Sequence, residues 1–217
     1  MTIEEMSEFF TKRINEYENQ MLENVEGCKE GYIKLAEIIS NDCKNLLDLG
    51  CGTGLELKEI FKKIPDLEVT GIDLTKAMLD KLKNNFPDKN IKLICGSYFD
   101  VDFGEKTFDC AISFQTMHHF SHKRKVNLYK KVYKCLKARG TYIECDYIAK
   151  DQCEEDYLFS EINRIRKDNN IKENEFIHFD TPCTVDNQIK MFKLAGFKEV
   201  SKVWQKGQTT IMVNKKF

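Results

Sequence analysis

Four groups of residues in this 217-residue chain combine types and spacings suited to chemistry. The first is Leu47-Asp48-Leu49-Gly50-Cys51-Gly52-Thr53-Gly54, an apolar run that ends in an acid and a glycine-dense turn. Glycines there permit positive φ and a close backbone approach that side chains would block. The second is Asp73, which closes the apolar run at residues 67–73. A glycine loop with a downstream acid is the two-part grip that α/β folds use on a ribose-bearing cofactor. The third comprises Gln115, His118 and His119, and the fourth Glu144, Asp146 and Tyr147. A histidine titrates near neutrality, so His119 is the favoured general base. Glu144 and Asp146 sit two apart on an expected strand and share a face, from which a pair of acids can steer an amine or hold a hydroxyl.

Positioning these groups requires a particular alternation of elements. The pattern predicts strands near residues 44–49, 67–73, 91–96, 107–114, 139–147, 197–204 and 208–214, with helices near 55–63, 75–85, 121–137 and 185–195. Ser121 is the expected N-cap and Gly196 the expected stop of the last two helices. Such alternation implies a seven-stranded, mostly parallel sheet with helices on both faces, and ligands at the carboxyl ends of its strands. The last two runs are joined only by Gln205-Lys206-Gly207, which demands an antiparallel hairpin at the edge. Residues 1–43 read as an N-terminal helical cap or lid, with Ile3, Met6, Phe10, Tyr17 and Met21 at near-helical spacing and a break at Glu26-Gly27-Cys28. Residues 44–217 form the main domain, in which the polar stretch 151–180 is an insertion walling the substrate side.

The narrow Gly-x-Gly-x-Gly spacing differs from the Gly-x-Gly-x-x-Gly of dinucleotide folds, and the chain here resembles the class I S-adenosylmethionine-dependent methyltransferases. Leu47 to Gly54 matches their first motif, and Asp73-Leu74-Thr75-Lys76-Ala77-Met78-Leu79 is similar to their second. Phe108-Asp109 leading to Met117-His118-His119, the turn Leu136-Lys137-Ala138-Arg139-Gly140 and the hairpin tail extend the likeness over residues 45–214. The resemblance implies S-adenosylmethionine as cofactor and S-adenosylhomocysteine as product. It assigns cofactor binding to Asp48, Gly50, Cys51, Gly52, Gly54, Asp73, Leu74, Met78, Gly96, Ser97, Tyr98 and Phe114. Asp73 would accept the two ribose hydroxyls, and adenine would lie between Leu74 and the loop Cys95-Gly96-Ser97-Tyr98-Phe99. Ser97 stands where many family members carry an Asp that receives the adenine amino group. Tyr17, Gln115, His118 and Tyr147 are the expected substrate contacts, with His119, Asp146 and Glu144 as the catalytic set.

Composition narrows the partners. A formal net charge of -1 gives no field toward nucleic acid or an anionic membrane, and no apolar run is long enough to span a bilayer. The acidic N-terminus lacks a signal-peptide core, and nine scattered cysteines without Cys-x-x-Cys suit a reducing, cytoplasmic setting. The acceptor is therefore expected to be a small molecule, and the oligomeric state is open. No metal site is expected: His118 and His122 are four apart and His178-Phe179-Asp180 offers further ligands, but four-residue spacing in a strand-end loop does not converge. Two alternatives share these residues. One is a protein that binds or modifies S-adenosylmethionine without methyl transfer, and the other an NAD-dependent oxidoreductase.

Overall fold

The computed structural model describes residues 4–217, and Ile3 of the expected first helix lies outside them. The chain runs α1 (Met6–Lys12), α2 (Tyr17–Asn19), a π turn (Gln20–Asn24), α3 (Cys28–Ile38), β1 (Asn45–Leu49), α4 (Leu55–Lys63), β2 (Glu68–Asp73), α5 (Lys76–Asn85) and β3 (Ile91–Cys95). It continues with β4 (Phe108–Phe114), a 3-10 turn (Met117–His119), α6 (His122–Cys135), β5 (Leu136–Tyr147), α7 (Gln152–Asp168), α8 (Val185–Ala195), β6 (Glu199–Lys206) and β7 (Thr209–Lys215). The seven strands form one sheet in the order β3-β2-β1-β4-β5-β7-β6. Only β7 runs against the rest, pairing antiparallel with both β5 and β6.

Side-chain alternation on the central strands builds a core on each face. Leu46, Cys110, Ile112 and Ile143 pack toward α3 and α4 on one side, against Leu35, Leu57 and Ile60. Leu47, Leu49, Ala111 and Tyr142 face the other side, against Leu128, Tyr129 and Val132 of α6 and Phe192 of α8. Burial on both faces is what a parallel sheet requires, and each such Leu or Ile contributes about 1.5–3 kcal/mol.

Several boundaries move for physical reasons. α6 stops at Cys135 and β5 begins at Leu136, because Leu136 already pairs with Phe108 before an irregularity at Arg139, whose φ is 63°. Ser121 is the N-cap by position but forms no side-chain cap bond, whereas Gly196 ends α8 with φ 113°. Gly27 starts α3 with φ 84°, at the break expected there. α3 packs into the sheet's core, so the covering segment is the chain before Gly27. That segment is strapped to the stretch after α7: Met6 N–H donates to the Phe176 carbonyl at 3.0 Å, and His178 N–H to the Glu4 carbonyl at 3.1 Å. Among the described residues, no helix is long and apolar enough to cross a membrane. All nine cysteines are free.

Candidate active site

The site opens where the order of strands reverses, at the carboxyl ends of β1 and β4. Gly50, Gly52 and Gly54 take φ of 75°, 48° and 78°, conformations that side-chain-bearing residues adopt at a cost. The loop folds back on β2: Gly50 and Cys51 N–H groups both donate to the Ile72 carbonyl, at 2.8 and 3.1 Å. Asp73 completes the tie. Its Oδ2 accepts from Gly52 N–H at 2.9 Å and its Oδ1 from Thr75 N–H at 2.8 Å. Each carboxylate oxygen keeps a second acceptor position, so both remain able to receive ribose hydroxyls. Burial pushes Asp73 up to about 6, against the pull of the Thr75 and Gly52 N–H groups.

A small cavity of about 50 Å³ lies beside this loop, lined by Asp73, Leu74, Gly96, Ser97 and Tyr98 as expected, with Gly50, Thr75 and Thr116. Met6 and Phe10 of α1, Phe99, Phe120 and Phe176 supply its apolar walls. The Arg124 guanidinium stacks over Phe99 at 4.4 Å and Phe176 at 4.6 Å, bracing that wall from behind. The Ser97 hydroxyl accepts from Phe99 N–H at 3.1 Å and so also holds its own loop in shape.

Four residues expected at the cofactor face elsewhere. Phe114 stacks on Tyr32 at 4.1 Å within the core under α3, because its position on β4 points to that face. Met78 is buried on α5 and is absent from the cavity lining. The Cys51 side chain turns beneath the loop, its Sγ 2.9 Å from where a Cβ on Gly71 would stand, so only its backbone serves the site. Gly54 likewise faces Leu82 and Phe86 of the core side, acting as the N-cap of α4.

Asp48 is fully buried, and neither carboxylate oxygen has a donor among the described residues. Its neighbour is another buried acid, Glu56, in the first turn of α4. Two carboxyl groups can bond to each other only when one carries a proton. Burial, then the Glu56 charge, pushes Asp48 well up, and burial pushes Glu56 up to about 7. Asp48 and Glu56 lie behind the glycine loop and line neither cavity, so of the acids here only Asp73 faces the cofactor side. Tyr17 stands over the loop, its hydroxyl 3.6 Å from where a Gly52 Cβ would lie.

A second, open cavity of about 670 Å³ adjoins the first, with Phe10 common to both linings. It contains Tyr17, Gln115, His118, His119 and Tyr147, the sequence candidates for the acceptor side, together with Arg13, Glu16, His178 and Asp180. Gln115 adopts φ 50° and its amide donates to the Thr209 hydroxyl at 3.1 Å. Asp146 holds His118 through Nδ1 at 2.5 Å. Burial opposes a charged His118, but Asp146 and then Asp180 overcome it, and His118 titrates above its ordinary value. Burial and the adjacent His118 hold His119 below its ordinary value, so His119 is the neutral imidazole of the pair.

Glu144 is the exception in the catalytic set. It shares a face with Asp146, but it is sealed between β5, α6 and α8, accepting from the Tyr129 and Tyr142 hydroxyls at 2.8 Å and from the Gln188 amide at 2.5 Å. It lines neither cavity and acts as a structural acid; Asp146 is also buried behind the cavity lining and reaches the site only through His118. Sequence reasoning missed Glu56, which reads as an ordinary acid of a first helical turn. It also missed Met6, Phe10, Phe120 and Phe176 as wall residues. The alternation Phe176, His178, Asp180 in an otherwise polar stretch is the signal that could have located the far wall.

The fold and this cleft define an α/β protein built around a nucleoside-bearing cofactor. A methyltransferase domain family matches residues 46–140. A malonyl-[acyl-carrier protein] O-methyltransferase of Priestia megaterium is 32% identical over 98 residues, 45% of this chain and 35% of its own length. A carboxy-S-adenosyl-L-methionine synthase of Nautilia profundicola is 25% identical over 94% of this chain and 92% of its own. Among solved structures, an O-methyltransferase from Nostoc punctiforme described as putative in its own name superposes with a TM-score of 0.69 at 21% identity, covering 95% of this chain and 59% of the other. Over residues 46–140 the chain is similar to methyltransferase domains, and its fold is the one seen in solved S-adenosylmethionine-dependent methyltransferases. It spans only about a third of the first of these relatives.

Proposed function

We propose that the chain transfers the methyl group of S-adenosylmethionine to a small polar acceptor seated in the wide cavity. The observation that carries this reading is the adjacency of the two cavities, one walled by Asp73 and aromatic rings and the other by a histidine cluster. When bound, S-adenosylmethionine supplies a methyl group already activated on a cationic sulfur. The chain's own residues then align the acceptor, limit water and accept a proton. Gln115 and Tyr147 present polar groups to the acceptor, and Tyr17, Phe10 and the covering segment restrict solvent at the junction. The neutral imidazole of His119 receives the acceptor's proton, while Asp146 orients His118 beside it. Arg13, Glu16 and Glu26 give the cavity mixed charge, which favours a polar metabolite over a long apolar chain.

The test combines ligand identity with turnover. Mass spectrometry of co-purifying ligand and thermal shifts with S-adenosylmethionine, S-adenosylhomocysteine and oxidised NAD check the cofactor. Stabilisation by the two sulfur compounds is expected, and stabilisation by NAD alone would overturn the reading. With an acceptor found by screening fractionated metabolites, His119→Ala should lower the rate and remove the acid-side limb of the pH–rate profile, over which activity rises with pH. An unaltered profile makes His119 structural. A cofactor recovered with added mass, in place of S-adenosylhomocysteine, would instead establish cofactor modification.

A further inference from the structure

We propose that His118, His119 and Asp180 form a divalent metal site at the wall of the acceptor cavity, of the zinc type with one position open to the acceptor. This deepens the methyl-transfer reading but stands on separate geometry. Asp180 Oδ1 lies 3.5 Å from His118 Nε2 and 3.2 Å from His119 Nδ1. Although buried, that oxygen makes no hydrogen bond among the described residues, so the contacts have the proximity of bonds without their alignment. Ligands about 2.0–2.1 Å from a tetrahedral zinc stand about 3.4 Å apart, which matches both separations. The ligand atoms of all three groups lie within 4.8 Å of one another.

The surroundings of His118 strengthen the assignment. Its other ring nitrogen, Nδ1, bonds to Asp146 at 2.5 Å, which leaves Nε2, 3.5 Å from Asp180 Oδ1, as the ligating nitrogen once a metal displaces its proton. A carboxylate behind a ligating histidine is the usual way proteins fix its tautomer and raise its basicity. His119 Nδ1 is 3.3 Å from the Phe179 carbonyl, so metal binding there displaces the proton shared with that oxygen. All three residues line the wide cavity, leaving the fourth coordination position for an acceptor oxygen or water. An acceptor hydroxyl bound there would have a lowered pKa and would release its proton to solvent through the open cavity, so His119 would serve as ligand and not as base.

The protein contains a second group of metal-ligand types, His122, Glu155 and Cys183, which makes a contrast. There the Lys125 ammonium already sits 3.2 Å from Cys183 Sγ, so a cation occupies the neighbourhood. Among the described residues no lysine or arginine pairs with Asp180, whose charged neighbours are the two histidines themselves.

The test reads the metal alone. The full chain, stripped with chelator, is titrated with Zn²⁺ by calorimetry and with Co²⁺ by visible absorption. One tight equivalent is expected, with tetrahedral Co²⁺ bands and no thiolate charge-transfer band. His118→Ala and Asp180→Asn should each weaken binding by about 100-fold or more, and Asp146→Asn by about 10-fold. Cys183→Ser should change nothing. Retained affinity for S-adenosylhomocysteine in each variant verifies folding. Absence of metal binding, or its loss in Cys183→Ser but not in Asp180→Asn, overturns the site and leaves the methyl-transfer reading standing.

Discussion

Asp73→Asn isolates the grip on the ribose. In the wild type, Gly52 N–H and Thr75 N–H each donate to a different carboxylate oxygen, leaving one acceptor position per oxygen for the cofactor's two hydroxyls. Asparagine turns one oxygen into an NH₂ that meets a backbone donor head-on, so one hydroxyl loses its acceptor and the loop's tie to β2 is weakened. A hydrogen bond to a charged group contributes about 1.5–3 kcal/mol, which predicts a fall in S-adenosylhomocysteine affinity of about 10- to 150-fold. The pH dependence sharpens the test. Asp73 titrates near 6 because it is buried, and hydroxyl donors favour its ionised form. Wild-type affinity should therefore fall as pH is lowered through about 6, and that component should vanish in the variant. Calorimetric titration at several pH values, with denaturant melts to verify folding, measures both quantities. A folded variant binding within about twofold of wild type near pH 7.5 would refute the assignment of Asp73 to the ribose.

Other outcomes follow from the same geometry. Without ligand, folding holds a proton on Glu56 up to about pH 7, whereas in the unfolded chain it leaves near 4.5. Between those values the folded state binds more protons, so stability falls as pH rises, by up to about 3 kcal/mol. Glu56→Gln should flatten that decline in urea unfolding from pH 5 to 8, and an unchanged slope contradicts the burial argument. Gly50→Ala places a Cβ 2.7 Å from the Thr116 hydroxyl at φ 75° and should cost about 2–4 kcal/mol by the same method. Phe114→Leu breaks the stack on Tyr32 and should lower stability by about 1–3 kcal/mol while leaving S-adenosylhomocysteine affinity unchanged. A loss of affinity there would return Phe114 to the cofactor.

The parts legible in the sequence were those set by local chemistry. The glycine loop, Asp73 and the tail hairpin at Gly207 each follow from a backbone requirement that few residues satisfy. The sheet follows from short apolar runs long enough to be buried on both faces. Residues whose role depends on which face a strand presents were harder to place. Glu144 and Asp146 share a face, but α8 closes over Glu144 while Asp146 backs His118, which lines the cavity, a distinction made by packing from residues more than forty positions away. Phe114 is one residue from Gln115, and the positive φ of Gln115 turns the chain so that one enters the core and the other the cavity. The meeting of His118 and His119 with Asp180 likewise depends on the return of the stretch after α7, which no local spacing encodes. Thr181 N–H reaching the His118 carbonyl at 2.6 Å is what secures it.

The most direct measurement follows the methyl group itself. The protein is incubated with S-adenosylmethionine labelled in the methyl group and a fractionated pool of small polar metabolites, and the label is traced by mass spectrometry. The account predicts a labelled small molecule formed in equal amount with S-adenosylhomocysteine, and loss of both in Asp73→Asn at limiting cofactor. Label that remains on the cofactor through every fraction, despite tight binding, would contradict it.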